Sequence, residues 1–503
     1  MAKARFIERL GYGITVSSRY ISPSLLSASL VLIITVIALF VPPYIGMADN
    51  GDYFRVLYSN GLYFNNPDYD SLYLGHFNKQ FGIFQYFNEN GATLTSSQSL
   101  LIRLSVWINQ LFNQQVFDIR VQAALLTILY TVAVYLFVEA LTWKMKPKYG
   151  YLVAVLAVFL FADTAYTAFF NSFFSESMVW IMLIYLFASG LLLFRKRYSD
   201  YAMMIIFFIS GLFLTTSKQQ NAPVGIIIAV MGIIFIFVRK QRSYRAMVAS
   251  SLAFLMLAGI ATYVLIPKEF VNINQYHAMT RGVLMQSEDP EATLKSFGIN
   301  KQYAVLNESI YYEPYTTVDV NSKILEDNFY NHYGFVSILA YYITHPDQAG
   351  KMMDLAAKNA FTIRPPAMGN YEKSAGKPFG AQTKFFSGYS ELKKALAPKT
   401  FGFIVIWMLV VTGMYAPHFV AAIKARDVRS MVRLPLILML MFMGLSGIFV
   451  SIIGAGDADL SKHEFLFTAA FDLVTFTAVA DALCRNLWQN KPAVQEKSVA
   501  VQN

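Results

Sequence analysis

The sequence predicts an all-α polytopic membrane protein with about ten transmembrane helices. Of its 503 residues, 56% are apolar and only 14% are charged, which is more apolar surface than one soluble core can enclose. Apolar runs of about 20 residues, the length that a helix needs to cross roughly 30 Å of hydrocarbon, recur along the chain. Basic residues cluster between these runs, so the net charge of +10 indicates membrane topology rather than nucleic-acid binding.

The apolar runs define the predicted spans. They are 24–45, 121–141, 150–169, 178–194, 201–215, 222–238, 246–266, 400–423, 434–453 and 464–483. The fifth is short, and the tenth contains Asp472 and Asp481. The first run ends without a small-x-small cleavage pattern, which favours a retained helix over a signal peptide.

The basic clusters give a topology. With a cytoplasmic N-terminus, the chain returns to the cytoplasm at a basic cluster after every even-numbered span. These clusters are Lys144/Lys146/Lys148, Arg195/Lys196/Arg197, Arg239/Lys240/Arg242/Arg245, Lys424/Arg426/Arg429/Arg433 and the tail with Arg485. The short connections on the other side hold only Lys218 and Lys462, which is the asymmetry of the positive-inside rule. We therefore predict a multi-pass cell-membrane protein with both termini cytoplasmic.

The predicted organisation has five parts. They are a cytoplasmic basic N-terminus (1–23), a seven-helix transmembrane region (24–266) with a long first outer loop (46–120), an extracytoplasmic mainly helical domain (267–399), three C-terminal transmembrane helices (400–483) and a cytoplasmic tail (484–503). In the outer domain, 322–344 and 346–361 each read as a helix, the second with a proline at its first position. The tail after Trp488 is polar and predicted to be disordered.

The first outer loop contains a predicted interfacial helix over 99–112. Apolar residues recur at helical spacing along one face, as in a helix that lies in the membrane plane. They are Leu100, Leu101, Leu104, Trp107, Ile108 and Leu111.

Two carboxylates follow the first span directly. Asp49 and Asp52 flank Asn50 and Gly51 in the stretch Asp49-Asn50-Gly-Asp52-Tyr-Phe-Arg55. A carboxylate placed here can take a proton from a hydroxyl group, which makes Asp52 and Asp49 candidate catalytic bases. The alternative is a solvated loop with helix-capping aspartates.

The turn after the third span is a second candidate. It begins with Asp163 and Tyr166 and ends with Glu176 at the start of the fourth span. Glu176 fits an N-terminal position that the helix dipole favours. Asp163 lies nearer to membrane depth, where a carboxylate is costly and suggests function.

Two further turns on the same side complete the set. Thr215-Thr-Ser-Lys218-Gln-Gln-Asn221 can bind a phosphate oxygen, and the alternative is that Lys218 is a snorkelling surface lysine. The last turn brings together Asp457, Asp459, Lys462 and His463, which suggests phosphate binding or merely a solvated connection. It has too few oxygen ligands for a calcium loop and one histidine for zinc, so a divalent metal has weak support.

Motifs for other chemistries are missing from the sequence. It has no P-loop, no H-E-x-x-H, no G-x-S-x-G and no dinucleotide fingerprint in a suitable context, which argues against ATP-driven transport and serine hydrolysis. A single cysteine, Cys484, excludes an internal disulfide.

Taken together, these stretches resemble the GT-C superfamily of polyprenyl-phosphate-dependent integral-membrane glycosyltransferases. The resemblance is closest to bacterial glycan-biosynthesis hexose transferases of the WsfD type. It rests on Asn50-Gly-Asp52-Tyr-Phe-Arg55, Asp163-x-x-Tyr166, Asn171-Ser-Phe-Phe-Ser-Glu176, Tyr276-His-Ala-Met-Thr-Arg-Gly282, Asp289-Pro290, His345-Pro346, Gly369-Asn370-Tyr-Glu-Lys373 and Gly456-Asp457-x-Asp459-Leu-x-Lys462-His463. It extends through nearly the whole chain.

The resemblance implies an inverting transfer of a hexose from a polyprenyl-phosphate donor to a cell-envelope glycan acceptor on the outer face. Asp52 then fits the general base, with Asp49 as the substitute. Lys218, Lys462 and His463 would stabilise charge on the leaving phosphate. The remaining candidates would contact donor or acceptor, position Asp52 or hold a metal: Asp163, Tyr166, Glu176, Arg281, Lys373, Asp457 and Asp459.

Two alternatives remain open at this point. One is an envelope polysaccharide polymerase or ligase that uses a lipid-diphosphate donor. The other is a flippase or transporter of lipid-linked sugars, which would need polar groups that continue through the bundle to the cytoplasmic side.

Overall fold

The computed structural model describes residues 20–86, 96–266, 268–313, 316–484 and 486–487. Most of the predicted basic N-terminus (residues 1–19), Arg485 and the tail from Trp488 onward lie outside the described residues. Every predicted span contains a helix. The prediction of a mainly helical polytopic protein is therefore confirmed.

Within the described ranges, ten apolar helices form a bundle, and we number them α1 to α10. They are α1 Pro23–Phe40, α2 Ile119–Thr142, α3 Pro147–Phe161, α4 Glu176–Arg195, α5 Asp200–Thr215, α6 Gln219–Phe237, α7 Arg242–Val264, α8 Phe401–Lys424, α9 Val428–Ala455 and α10 Phe465–Leu483. Eight of them are long and apolar enough to cross a membrane, and α3 makes nine together with Thr164–Asn171 after a 49° bend. The remaining helix, α5, has 16 residues.

Burial differs widely across the bundle. In the central helix α4, 89% of the residues in the apolar segment are buried within the protein. In α7 and α8 only 22% are buried, and these two helices present apolar side chains outward. Small residues allow close helix approach. A Cβ added at Gly225 of α6 would lie 2.3 Å from the Leu255 carbonyl oxygen of α7, and one at Gly259 of α7 would lie 2.6 Å from the Ala222 carbonyl oxygen. These two helices therefore pack backbone against backbone.

The described residues of 46–120 lie between α1 and α2. The α1 helix ends at Phe40, five residues before the predicted end, because Pro42 and Pro43 follow it and proline cannot donate the next helical hydrogen bond. The chain then forms strand β1 (Ile45–Met47), helix Tyr53–Ser59 and a three-stranded antiparallel sheet. Its strands are β2 (Leu62–Tyr63), β3 (Gln80–Ile83) and β4 (Val116–Asp118).

The predicted interfacial helix of this loop forms over Gln98–Gln110. Leu100, Leu104, Trp107 and Leu111 are 40% to 68% exposed on one face, as such a helix requires. Leu101 departs from the predicted stripe, because it is 9% exposed and packs inward.

Residues 268–399 are mainly helical where they are described. Their helices are Lys268–His277, Pro290–Ser296, Lys323–Asn328, Phe335–Thr344, Pro346–Asn359 and Gly388–Leu396, with a π-helical turn at Ala278–Val283. The helix predicted over 322–344 is wrong as a single element: it breaks at Phe329 and Gly334, whose backbones are not helical. Gly334 is extended and begins a new helix, where the Ser337 hydroxyl accepts from the Gly334 backbone N–H at 2.8 Å. The helix predicted over 346–361 is confirmed.

A two-stranded sheet joins the two long polar segments. Strand β5 (Met368–Tyr371) pairs antiparallel with β1, with Ile45 opposite Tyr371. Below this sheet, the Asn171 side-chain amide donates a 2.8 Å hydrogen bond to the Ile45 carbonyl. We call this end of the bundle, which carries residues 46–120 and 268–399, the polar end.

The opposite end of the bundle carries the basic connections. Three of its acidic side chains pair with arginines: Glu139 with Arg197 at 2.9 Å, Asp200 with Arg429 at 2.8 Å, and Asp481 with Arg433. These three carboxylates are therefore each balanced by a cation of the protein.

Candidate functional site

Five separate parts of the chain meet around one cavity of about 200 Å³ at the polar end. They are the loop after α1, the turn before α4, the turn between α5 and α6, the helix Lys268–His277, and the turn between α9 and α10. The cavity is lined by Asp52, Arg55, Val56, Ser96, Gln98, Ser99, Phe173, Phe174, Ser175, Ser217, Lys218, Gln219, Gln220, Phe270, Asn274, Lys462 and His463. Three predicted cations and one predicted base therefore line the same cavity.

The two carboxylates after β1 have different roles. Asp49 is 3% exposed, and its carboxylate accepts from the backbone N–H of Gly51 at 2.9 Å and from the Tyr69 hydroxyl at 2.6 Å. It shapes the turn, where Gly51 has a φ of +95° that favours glycine. Asp52 follows this turn, and its side chain is 37% exposed and lines the cavity. Asp52, rather than Asp49, is thus the accessible carboxylate.

Two cations hold the Asp52 carboxylate. The Lys462 ammonium lies 2.7 Å from one oxygen, and the Arg55 guanidinium lies 2.8 Å from the other. Burial alone would raise the pKa of Asp52, but Lys462 and Arg55 outweigh it and hold the pKa below its usual value. Asp52 is therefore anionic at neutral pH. Arg55 also donates to the Tyr312 hydroxyl at 2.5 Å, which links the loop to the 268–399 region.

Glu176 and Lys218 form a second ion pair at the cavity. Glu176 begins α4 and is 1% exposed at its side chain, while Lys218 is 20% exposed in the turn before α6. Burial lowers the pKa of Lys218, and the charge of Glu176 opposes that shift. Among the described residues, Glu176 Oε2 has no hydrogen-bond partner. Glu176 therefore keeps one acceptor oxygen for another group.

Lys462 and His463 project from the short helix Leu460–His463, which starts at Asp459 in a left-handed conformation with φ +51°. The Lys462 ammonium also lies 4.0 Å from the Phe174 ring centre, a cation–π contact. Burial, together with the charges of Lys218 and Lys462, lowers the pKa of His463 to about 3. In this structure His463 is thus a neutral hydrogen-bonding group, which departs from the expected cation.

Asp457 and Arg281 pair with each other instead of lining the cavity. The Arg281 guanidinium donates hydrogen bonds to both Asp457 carboxylate oxygens, at 2.6 and 2.7 Å. The backbones also touch, since a Cβ at Gly456 would lie 2.6 Å from the Gly282 nitrogen. This contact fixes the π-helical turn Ala278–Val283 against the turn that carries Lys462. Asp459 is exposed beside it and lies near enough to raise the pKa of Lys462.

Asp163 and Tyr166 belong to a separate buried cluster. The Asp163 carboxylate accepts from the backbone N–H and the hydroxyl of Ser390, both at 2.9 Å. The Tyr166 hydroxyl donates to Asp472 at 2.5 Å, and Lys393 pairs with Asp472 at 2.6 Å. These contacts dock helix Gly388–Leu396 onto the bundle. The two predicted site residues are not brought to the cavity.

Lys373 is also away from the cavity. Its ammonium pairs with Asp68 at 2.5 Å, and the two side chains are 64% and 47% exposed. An ion pair this exposed contributes little to stability.

Sequence reasoning missed several cavity residues. Arg55 stands inside a quoted motif without an assigned role. The Gln98 carboxamide is 2% exposed, and neither its nitrogen nor its oxygen has a hydrogen-bond partner among the described residues. The same holds for His463 Nδ1. Buried polar atoms without partners usually bond to water or to a bound molecule, so these atoms are available for either at the cavity.

A second, apolar cavity of about 530 Å³ adjoins the first. It is lined by Gln219, Gln220, Ala222, Pro223, Ile226, Gly259, Ile260, Tyr263, Val264, Ile266, Val271, Asn274, Gln275, Ala278, Tyr333, Gly334, Phe335, Ile338, Val450, Ile453, Gly454 and Ala455. Gln219, Gln220 and Asn274 line both cavities. The apolar cavity therefore opens toward Lys218 and Asp52.

The carboxylates around the site do not form a metal centre. Within the described part of the chain, no three His, Cys, Asp or Glu side chains come together in a way that could hold a metal ion. Asp52 and Glu176 are each paired with a lysine instead.

The model of the family described as YfdI N-terminal transmembrane domain matches residues 9–500. No curated protein and no solved structure matches the chain.

Proposed function

The chain belongs to the YfdI N-terminal transmembrane domain family, and on that premise we propose that it is a membrane glycosyltransferase of the GT-C type. The proposed reaction moves a hexose from a polyprenyl-phosphate carrier to a cell-envelope glycan. The active site is the cavity between Asp52, Lys218 and Lys462.

One observation carries this proposal: the cavity lined by a carboxylate and several cations adjoins an apolar cavity of about 530 Å³, with Gln219, Gln220 and Asn274 lining both. A polyprenyl-phosphate sugar has the same division into an apolar chain and a charged, hydroxylated head. Its isoprenoid units fit the apolar walls formed by α6, α7 and α9. Its phosphate then comes to lie near Lys218 and Lys462.

The reaction follows from this placement. Asp52 takes the proton of an acceptor hydroxyl, whose oxygen bonds to the anomeric carbon of the hexose. The bond from that carbon to the phosphate oxygen breaks, and its electron pair leaves with the phosphate. Lys218 and Lys462 stabilise the added charge on that group, so no strong general acid is needed. Attack from the side opposite the phosphate inverts the anomeric centre.

The charge distribution supports an active site on the outer face. The basic connections at the end opposite the cavity favour a cytoplasmic position. The polar end then faces the outside, where an envelope glycan is available.

The arrangement favours an enzyme over a flippase. A flippase needs polar groups along a path through the bundle. Both cavities lie at the polar end, and the acidic side chains Glu139, Asp200 and Asp481 at the other end are paired with arginines.

The test measures transfer of labelled hexose from a synthetic polyprenyl-phosphate hexose to envelope glycan in membranes that contain the protein. Asp52→Asn keeps the shape of the side chain and removes the base, and we expect a rate loss on the order of 10²- to 10⁴-fold. Asp70→Asn, an exposed carboxylate in the same loop, is the control and should retain activity. Full activity of Asp52→Asn would refute the assigned base. Envelope glycans with unchanged hexose content after deletion of the gene would refute the proposed function.

A further inference from the structure

Helix Phe335–Thr344 has an apolar face that no other part of the described structure covers. Its sequence, Phe-Val-Ser-Ile-Leu-Ala-Tyr-Tyr-Ile-Thr, contains no charged residue. Val336, Leu339 and Ile343 are 77%, 37% and 70% exposed, and their spacing places them on one side of the helix. The opposite side packs inward through Ile338, which is 1% exposed. A helix in water would carry polar residues on its exposed side.

This apolar face continues a surface that belongs to a transmembrane helix. At the end of α7, Tyr263, Val264 and Leu265 are 54%, 70% and 73% exposed. Tyr263 and Val264 line the same apolar cavity as Phe335 and Ile338. The exposed apolar end of α7 and helix Phe335–Thr344 therefore border the same apolar cavity.

The next helix has the opposite character. Pro346–Asn359 follows after His345 and packs against Phe335–Thr344. It exposes charged residues, among them Asp347, Lys351 and Lys358. The boundary between apolar and polar surface thus passes between two adjacent helices.

We propose that helix Phe335–Thr344 lies in the bilayer interface, with Val336, Leu339 and Ile343 among lipid acyl chains. Continuity with the outward face of α7 favours lipid as the occupant of this surface. The helix then forms one edge of the opening of the apolar cavity, and a lipid enters the cavity from the membrane between this helix and α7. The placement rests on family membership and exposure alone, whereas its use for a lipid-linked donor rests on the proposed function.

Spin labelling of the full-length protein in lipid nanodiscs tests the placement. Cys484→Ser removes the natural cysteine, and a nitroxide is attached at Val336→Cys or Ile343→Cys in that background. Leu257→Cys, on the exposed face of α7, is the lipid control, and Lys351→Cys is the water control. We expect labels at 336 and 343 to collide more with oxygen than with a water-soluble nickel chelate, as at 257, while 351 shows the reverse.

Three outcomes are distinguishable. Nickel accessibility at 336 and 343 equal to that at 351 would place the helix in water and overturn the proposal. Low accessibility to both reagents, with dipolar broadening between labels, would show a second copy of the chain on this face and would also overturn it. Oxygen-dominated collisions at both positions support it, whether or not the protein transfers hexose. Variants that fail to elute as a single species are replaced by Leu339→Cys on the same face.

Discussion

The Lys462 ammonium lies 2.7 Å from the Asp52 carboxylate, although 410 residues separate them in sequence. The turn between α9 and α10 must therefore dock on the loop after α1 before the cavity is complete. Lys462 is paired with Asp52, and Lys218 is paired with Glu176. In the proposed reaction the donor phosphate would compete with Asp52 for Lys462, and the loss of this partner would raise the affinity of Asp52 for a proton.

The pH dependence of the reaction should reflect whether Lys462 is paired with Asp52 or with the donor phosphate. Lys462 lowers the pKa of Asp52, so Lys462→Met should raise it. Because protonated Asp52 cannot accept a proton, the acid-side fall of kcat/KM should move to higher pH in Lys462→Met. In the wild-type enzyme, the acid limb of kcat should lie above that of kcat/KM, since kcat reports the donor complex.

The measurement is initial rate against pH with saturating and limiting donor. Lys373→Met removes a lysine whose partner is the exposed Asp68, and its profile should match the wild type. An unchanged acid limb in Lys462→Met would contradict the role of Lys462. His463, with a pKa of about 3, should add no inflection near pH 6 to 7 in the free enzyme.

Variants of the buried pair Glu176 and Lys218 should show that its effect on stability differs from its effect on activity. Glu176→Gln or Lys218→Met leaves one buried charge without its partner, and we expect each to destabilise the protein by about 3 to 5 kcal/mol. The double variant removes both charges and should recover most of the thermal stability in detergent. It should remain inactive, because the phosphate has lost Lys218. Recovery of activity in the double variant would show that Lys218 serves only to neutralise Glu176.

Hydrophobic length predicted the bundle well, because about 20 apolar residues in succession have few alternatives to a membrane helix. The turns with Asp52, Lys218 and Lys462 were also predicted to share a side, since the basic connections fix the sidedness of the rest. Their meeting at one cavity follows from three-dimensional packing, which one-dimensional patterns do not contain.

The failures have physical reasons. The helix was predicted to be continuous over 322–344 because helix propensity does not register the local cap in which the Ser337 hydroxyl accepts from the Gly334 N–H. The pattern of Gly388–Leu396 makes Lys393 look solvent-exposed, yet it is buried against Asp472. The costly intramembrane Asp472 was the available signal, since such a residue requires a partner. Asp163 was predicted to be functional for the same reason, but its carboxylate accepts from the backbone N–H of Ser390 and so holds helix Gly388–Leu396 in place.

The pair of Lys393 and Asp472 should anchor helix Gly388–Leu396. Both side chains are at most 4% exposed, so Lys393→Met leaves a buried carboxylate and should cost about 3 to 5 kcal/mol. Lys393→Met combined with Asp472→Asn removes both charges and keeps an acceptor for the Tyr166 hydroxyl. Thermal unfolding should place the double variant close to the wild type. Lys394→Met, an exposed neighbour, is the control, and a larger loss in the double variant than in Lys393→Met would contradict the pairing.

The apolar cavity should determine which donors the enzyme accepts. Ile226 lines it from α6, and Ile226→Trp adds volume where the proposed isoprenoid chain lies. We expect KM for a full-length polyprenyl-phosphate donor to rise about tenfold, which corresponds to about 1.4 kcal/mol of lost binding. A short-chain donor that does not reach Ile226 should be affected much less. Ile233→Trp on the same helix is 50% exposed and does not line the cavity, so both donors should react with it normally. Equal effects of Ile226→Trp on long and short donors would place the lipid chain elsewhere.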